Sequence, residues 1–215
     1  MNREIIAKAE AFLNETFSAS SYLQVNPGVR TYRLEHSHRV AHIAKAIAEA
    51  EGLDVTSAVV GGLLHDIAYC EEMLPGEERA NHGRRSAFII RPFLESLDMP
   101  SDTVNDICYG IAIHGNSKAD FEWRRTPLCE TIGDADRIDR FDAYRMYESL
   151  QTMHFSELPL VQKQEAVNNA IEKLNTSKEI KLGTETATKL WQDRLEYQLD
   201  FYARLKAQLD HSMAM

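Results

Sequence analysis

Residues 59–69 form a stretch that is apolar on nearly every side and carries an adjacent histidine and aspartate, His65 and Asp66. If the stretch is helical, its apolar residues point in all directions, so the helix is predicted to be buried all round. A buried aspartate is costly unless it is paired, hydrogen-bonded or bound to a metal. Neighbouring helical residues point about 100° apart, so the two side chains cannot easily pair with each other. They can instead provide a nitrogen and an oxygen ligand to one divalent cation.

Helical periodicity of apolar residues recurs along the chain, and no convincing alternating strand pattern is present. The predicted fold class is therefore all-α, in a single domain over residues 1–215. Asp54 is predicted to cap the helix that contains His65 and Asp66, and Ser101 to cap a later one. Loops are expected over residues 18–31, 71–80 and 116–125. The other predicted helices cover residues 2–17, 32–51, 77 or 82 to 97, 101–115, 126–141, 160–174 and 185–209.

Composition limits the classes of partner. The formal net charge of -9 argues against binding a nucleic-acid polymer or an acidic membrane surface as the main role. No apolar run reaches the roughly 18 residues of a membrane span, and the N-terminus has no signal-peptide core. Three cysteines without a close-spaced pair suit a reducing compartment. We expect a soluble cytoplasmic protein, with its oligomeric state left open.

Helix geometry selects further ligand candidates for the His65–Asp66 pair. On the helix over residues 32–51, His36 falls within the apolar face, whereas His38 and His42 fall on the opposite face. Arg33 also lies on the buried side, which is unusual for an arginine without an anionic partner.

Three carboxylates lie in the helix that begins near residue 126. Asp136 and Asp139 lie close to its apolar stripe, and Asp134 points away. We take Asp136 as the first choice of ligand and Asp139 as a supporting group, although surface ion pairs with the neighbouring arginines would explain the same pattern. His82 and His114 are further candidates, but each alone is more often a capping or packed histidine.

The chain resembles the HD superfamily of metal-dependent phosphohydrolases over roughly residues 30–142. The matching sequence motifs are residues 35–41, 62–67 and 134–139. The resemblance implies an HD-domain-like helical bundle, with residues 143–215 as a C-terminal helical extension. It implies that His36, His65, Asp66 and Asp136 hold a divalent metal ion (Mn, Mg, Fe, Zn, Co or Ni), with Asp66 and His65 as the catalytic pair. Some members bind two metals, and His82 and His114 would then hold the second, with Asp66 as the bridge.

The activity implied by this resemblance is hydrolysis of a phosphomonoester or nucleotide phosphate bond by a metal-activated water. Arg33, then Arg84, Arg85 and Arg137, are candidates to bind the phosphorylated small-molecule substrate; an exposed helix start explains Arg84 and Arg85 equally well. Some nucleotide-acting members carry an acid one turn after the HD pair, where this chain has Tyr69, so the sequence identifies no separate general base. Two alternatives stay open: an HD-type di-iron oxygenase, and a non-catalytic metal- or nucleotide-binding module.

Overall fold

A computed structural model describes residues 1–212 of the chain. This part of the chain forms eleven α-helices and no strand, which confirms the predicted all-α class. None of its helices is both long enough and apolar enough to cross a membrane. The helices are α1 (Arg3–Ala19), α2 (Ser21–Val25), α3 (Pro27–Glu51), α4 (Val55–Leu64), α5 (Glu77–Ala80), α6 (His82–Glu95), α7 (Ser101–Ile113), α8 (Pro127–Asp139), α9 (Ala143–Thr152), α10 (Leu160–Thr176) and α11 (Glu185–Asp210).

The chain divides into two compact units. The first contains residues 1–139 and 183–187, and the second contains residues 140–182 together with the described residues from 188 onward. The organisation as a single domain over residues 1–215 stays a prediction.

In the first unit, α4 lies at the centre and packs against α1, α3, α7 and α8. Every residue of α4 after Val55 is buried, as its apolar composition predicts. Two glycines allow this close packing: a Cβ on Gly62 would lie 2.7 Å from Cα of Ala41 in α3, and one on Gly61 would lie 2.4 Å from Cδ1 of Ile132 in α8. The carboxyl end of α4 is thereby held directly beside both helices.

Several local predictions hold and others are wrong. Asp54 caps α4 as predicted, because its side chain accepts a hydrogen bond from the backbone N–H of Thr56 at 2.9 Å. The predicted loop over residues 18–31 instead contains α2 and the start of α3, where Pro27 occupies the first turn, a favourable position for proline. Residues 71–80 contain the short helix α5, and Ser101 is the first residue of α7, not a side-chain cap.

The most important correction concerns the His65–Asp66 pair, which was predicted to lie inside a helix. α4 ends at Leu64, and a short 3₁₀ helix begins at Ile67. Asp66 has φ −108° and ψ 17°, outside the α-helical region. The two residues therefore follow the end of α4 and do not lie within it.

The second unit contains α9, α10 and most of α11. Helices α10 and α11 match predicted helices, whereas the sequence placed no helix at the position of α9. Trp191 of α11 is almost fully buried, and its ring centroid lies 4.4 Å from that of Phe141. The guanidinium of Arg194 donates a 2.6 Å hydrogen bond to Asp142, the N-cap residue of α9.

Candidate metal centre

Four histidines and two aspartates of the first unit come together in one buried cluster. α3 contributes a histidine from its middle, α6 contributes its first residue, and α8 contributes an aspartate from its last turn. The remaining members directly follow the ends of α4 and α7. The members of this metal cluster are His36, His65, Asp66, His82, His114 and Asp136.

Asp66 lies between two pairs of imidazole rings. Its Oδ2 lies 3.6 Å from Nε2 of His36 and 3.6 Å from Nε2 of His65. Its Oδ1 lies 3.3 Å from Nε2 of His82 and 3.6 Å from Nε2 of His114. The two oxygens of one carboxylate therefore face different histidine pairs, which is the arrangement needed for a carboxylate that bridges two cations.

All four rings hold their Nδ1 atoms away from Asp66. Three of these atoms lie within hydrogen-bonding distance of the backbone carbonyl three residues earlier: His65 with Gly62 at 2.8 Å, His82 with Arg79 at 2.6 Å and His114 with Ile111 at 2.6 Å. A carbonyl can only accept, so Nδ1 carries the proton in each of these rings. In a neutral ring, the Nε2 atom that faces the cluster then carries a lone pair.

The cluster fits a divalent cation better than it fits internal hydrogen bonding. Nε2 of His82 and Nε2 of His114 are 2.8 Å apart, and those of His36 and His65 are 3.2 Å apart. Two lone pairs at such distances repel each other unless a proton or a cation lies between them. Oδ1 of Asp66 is buried and has no hydrogen-bond partner within residues 1–212. A buried carboxylate oxygen without a donor is costly, and a bound cation removes that cost.

The electrostatics of the cluster also favour positive charge. Burial alone would lower the pKa of His36, but hydrogen bonds that its ring donates to the carboxylates of Asp136 and Asp139 outweigh burial and raise the pKa to about 9. Burial lowers the pKa of His65 to about 4. Burial disfavours ionisation of Asp66, yet the surrounding imidazoles and Arg33 hold its pKa well below the usual range. The cluster therefore presents ionised carboxylates that attract either protons or a metal ion.

One side of the metal cluster carries a cation and an aromatic ring. Nη1 of Arg33 donates a 2.6 Å hydrogen bond to Oδ2 of Asp66, and its guanidinium carbon lies 3.4 Å from the ring centroid of Tyr69. The Tyr69 ring is also 5.3 Å from that of His82. The Arg33 and His82 side chains are 20% and 15% exposed, more than any metal-cluster aspartate or the other three histidines. This is therefore the more exposed side of the metal cluster.

The structure does not bring the other three predicted substrate-binding arginines to Asp66 in the same way. Arg84 donates a 2.6 Å hydrogen bond to Asp120, and Arg85 binds Glu71 with two hydrogen bonds. Arg137 is exposed on α8. The partner acids of Arg84 and Arg85 come from distant loops, which the sequence pattern could not reveal.

Three residues that helix geometry separated from the predicted site lie outside the metal cluster. His38 is half-buried and His42 is exposed, so neither belongs to the metal cluster. Asp134 points away from it, as expected, but is buried: its Oδ2 accepts a 2.8 Å hydrogen bond from the backbone N–H of Gly183. Burial raises the pKa of Asp134 to about 6.

Sequence reasoning did not give Tyr69 or Arg39 a role beside the site. Tyr69 stood out only as a departure from the family pattern, and its stacking on Arg33 depends on the 3₁₀ helix that follows Asp66. Arg39 lies three residues after His36 on α3, a spacing that places both on one face of a helix. That spacing is the sequence feature that could have indicated that Arg39 lies near His36.

Comparison with known proteins identifies the family of the chain and a structure with a similar fold. A family model described as HD domain matches residues 33–144, more than half of the chain. The fold is similar to the crystal structure of a predicted HD superfamily hydrolase from an uncultured Thermotogales bacterium, with a TM-score of 0.60 and 23% sequence identity over 96% of this chain and 91% of that one. A search of the curated proteins gave no match. With the matched region spanning all six members of the metal cluster, this chain belongs to the HD-domain family.

Proposed function

We propose that this protein is a metal-dependent phosphohydrolase that cleaves a phosphomonoester or nucleotide phosphate bond with a metal-activated water. The observation that carries the proposal is the position of Asp66, whose two carboxylate oxygens face two separate imidazole pairs. Family membership supports the same general class of metal-dependent hydrolase.

The residues would divide between two cations. His36, His65, Asp66 and Asp136 would hold one, and Asp66, His82 and His114 would hold the other. When bound, such cations lower the pKa of a bound water and neutralise charge on a phosphoryl oxygen. The two groups share one carboxylate, so loss of Asp66 affects both.

Arg33 has the placement of a phosphate-binding residue. Its Nη1 is held by Asp66, while its buried Nε has no hydrogen-bond partner within residues 1–212. The Tyr69 ring supports one face of the guanidinium and limits its movement. An arginine held in this way presents donors in a fixed plane that matches the oxygens of a phosphate group. We therefore assign Arg33 to orientation of the substrate phosphate at the exposed side of the metal cluster.

A phosphate-release screen tests the proposal. The purified protein is freed of metal, reloaded separately with Mn²⁺, Co²⁺, Ni²⁺, Fe²⁺, Zn²⁺ or Mg²⁺, and assayed with nucleotides and sugar phosphates. We expect metal-dependent release of phosphate or pyrophosphate from at least one class of substrate. The variant Asp66→Ala should lose this activity, and the control variant His154→Ala, at an exposed histidine of the second unit, should retain it.

Two outcomes would overturn the proposal and select an alternative. Oxygen-dependent turnover of the iron-loaded protein without phosphate release would identify an oxygenase. Tight nucleotide binding with no turnover under any metal would identify a binding module.

A further inference from the structure

The four imidazoles of the metal cluster are not held alike. His65, His82 and His114 each have Nδ1 near a backbone carbonyl of their own segment. His36 has no such arrangement: its Nδ1 lies 2.7 Å from Oδ2 of Asp139, a residue 103 positions later in the chain. His36 is thus the one metal-cluster histidine whose Nδ1 partner is a charged side chain from another helix, within the described residues.

Asp139 is itself held in place by a second charged group. Nε of Arg39 donates to its Oδ1 at 2.8 Å, and Nη2 donates to its Oδ2 at 3.2 Å. This two-point contact fixes the plane of the carboxylate, which a single hydrogen bond would not do. The Asp139 side chain is 7% exposed, so the contact is shielded from solvent.

The Asp139 contact determines which nitrogen of His36 can bind a cation. Nε2 of His36 points into the metal cluster, 3.2 Å from Oδ1 of Asp136, so carboxylates lie at both ends of the ring. A neutral imidazole has one N–H, and a metal requires the lone pair on the nitrogen that faces it. Asp139 can accept but not donate, so it holds the proton at Nδ1 and leaves the lone pair on Nε2. A full negative charge at Nδ1 also makes Nε2 a stronger donor to a metal than a neutral carbonyl does.

We infer that Asp139, held by Arg39, is a positioning residue that selectively strengthens the binding of one of two cations, the one held by His36. This inference rests on the proposed two-cation site. The cation on the side of His82 and His114 depends on backbone carbonyls instead, and should be insensitive to Asp139. The two halves of the metal cluster therefore differ in the groups that determine their affinity for a cation.

A stepwise metal titration tests the inference without any substrate. Metal-free protein is titrated with Co²⁺ in competition with a chelator, and the two dissociation constants are compared between wild type and Asp139→Asn, which keeps the size of the side chain and an accepting oxygen. We expect one constant to rise by about 10- to 100-fold and the other to stay unchanged. Arg39→Lys, which keeps the charge but loses the two-point contact, should weaken the same cation by a smaller factor.

A matched control separates positioning from folding. Asp134→Asn makes the same chemical change on the same helix, at a buried carboxylate that binds Gly183, and should leave both constants unchanged. Equal weakening of both cations in Asp139→Asn, together with a lower melting temperature of the metal-free protein, would show a general structural role and overturn the inference. Unchanged dissociation constants in Asp139→Asn, with normal phosphate release, would overturn the inference but not the proposed function. Wild-type protein that binds no Co²⁺ would overturn both.

Discussion

The guanidinium of Arg33 lies over the ring of Tyr69, with its central carbon 3.4 Å from the ring centroid, while its Nη1 binds Asp66. This contact places a fixed cation at the exposed side of the metal cluster. It also separates Arg33 from Arg84 and Arg85, which the sequence ranked after it as candidates and which are paired with acidic residues outside the metal cluster.

Replacing this arginine should impair substrate binding. We expect Arg33→Met to raise KM for a phosphorylated substrate by about 10- to 100-fold, the range expected for losing a charge-assisted hydrogen bond worth about 1.5–3 kcal/mol. Steady-state kinetics on the metal-loaded protein measures the change. The matched control is Arg85→Met, since Arg85 is paired with Glu71. Equal effects of the two substitutions would contradict a specific role for Arg33.

Close packing at Gly62 gives a test of the fold. A Cβ there would lie 2.7 Å from Cα and 2.9 Å from N of Ala41, both backbone atoms that cannot move without shifting α3. We expect Gly62→Ala to lower the free energy of unfolding by about 1–3 kcal/mol, as overpacking in a core does. Urea denaturation followed by circular dichroism measures this change.

The control for the Gly62 substitution is another helical glycine. Gly28 lies in the first turn of α3, and a Cβ added to it would have no neighbour within 4 Å. Gly28→Ala should therefore leave stability unchanged or increase it by up to about 1 kcal/mol. A Gly62→Ala protein as stable as Gly28→Ala would mean that α3 and α4 are farther apart than described.

The three thiols should differ in reactivity. Burial raises the pKa of Cys108 to about 11, so at pH 8 this thiol stays protonated and unreactive in the folded protein. Cys129 is also fully buried, whereas Cys70 is partly exposed. A thiol-specific chromogenic reagent at pH 8 should first modify one thiol per native chain, and three after denaturation. Cys70→Ser should abolish the first phase; fast modification of two thiols in the native wild type would contradict this burial pattern.

Metal removal should destabilise the protein. A cation that binds the folded but not the unfolded chain adds about 2.7 kcal/mol at a free concentration 100 times its dissociation constant. For a chain of this size that corresponds to a rise in melting temperature of about 5–10 °C. Thermal denaturation with and without a chelator measures the difference. Asp66→Asn should show little difference between the two conditions, and a chelator effect as large as that of the wild type would exclude Asp66 as a ligand.

The sequence predicted the burial of a side chain correctly where the periodicity of a single helix was sufficient. The apolar face of residues 32–51 separates His36 from His38 and His42, and the structure buries His36 while leaving His42 exposed. The same reasoning could not place the second histidine pair. His82 and His114 lie at the ends of α6 and α7, where periodicity carries little information, and only their order in the family pattern suggested a shared role.

Other features depend on contacts that a one-dimensional pattern does not contain. The end of α4 at Leu64 follows from no helix-breaking residue, so the sequence did not predict the non-helical backbone of Asp66. The buried side chain of Asp134 accepts a hydrogen bond from Gly183, which lies 49 residues later in the chain. The stacking of Arg33 on Tyr69 likewise joins two elements that only the folded chain brings together.

In the proposed site, the carboxylate of Asp66 would join two cations within a single cluster. Anomalous X-ray diffraction from crystals soaked in Mn²⁺ tests it most directly, because it locates each ion without depending on a substrate. We expect two anomalous peaks, one next to each oxygen of Asp66, with His36 and His65 around the first and His82 and His114 around the second. No peak beside Asp66, or manganese bound only elsewhere on the protein, would contradict it.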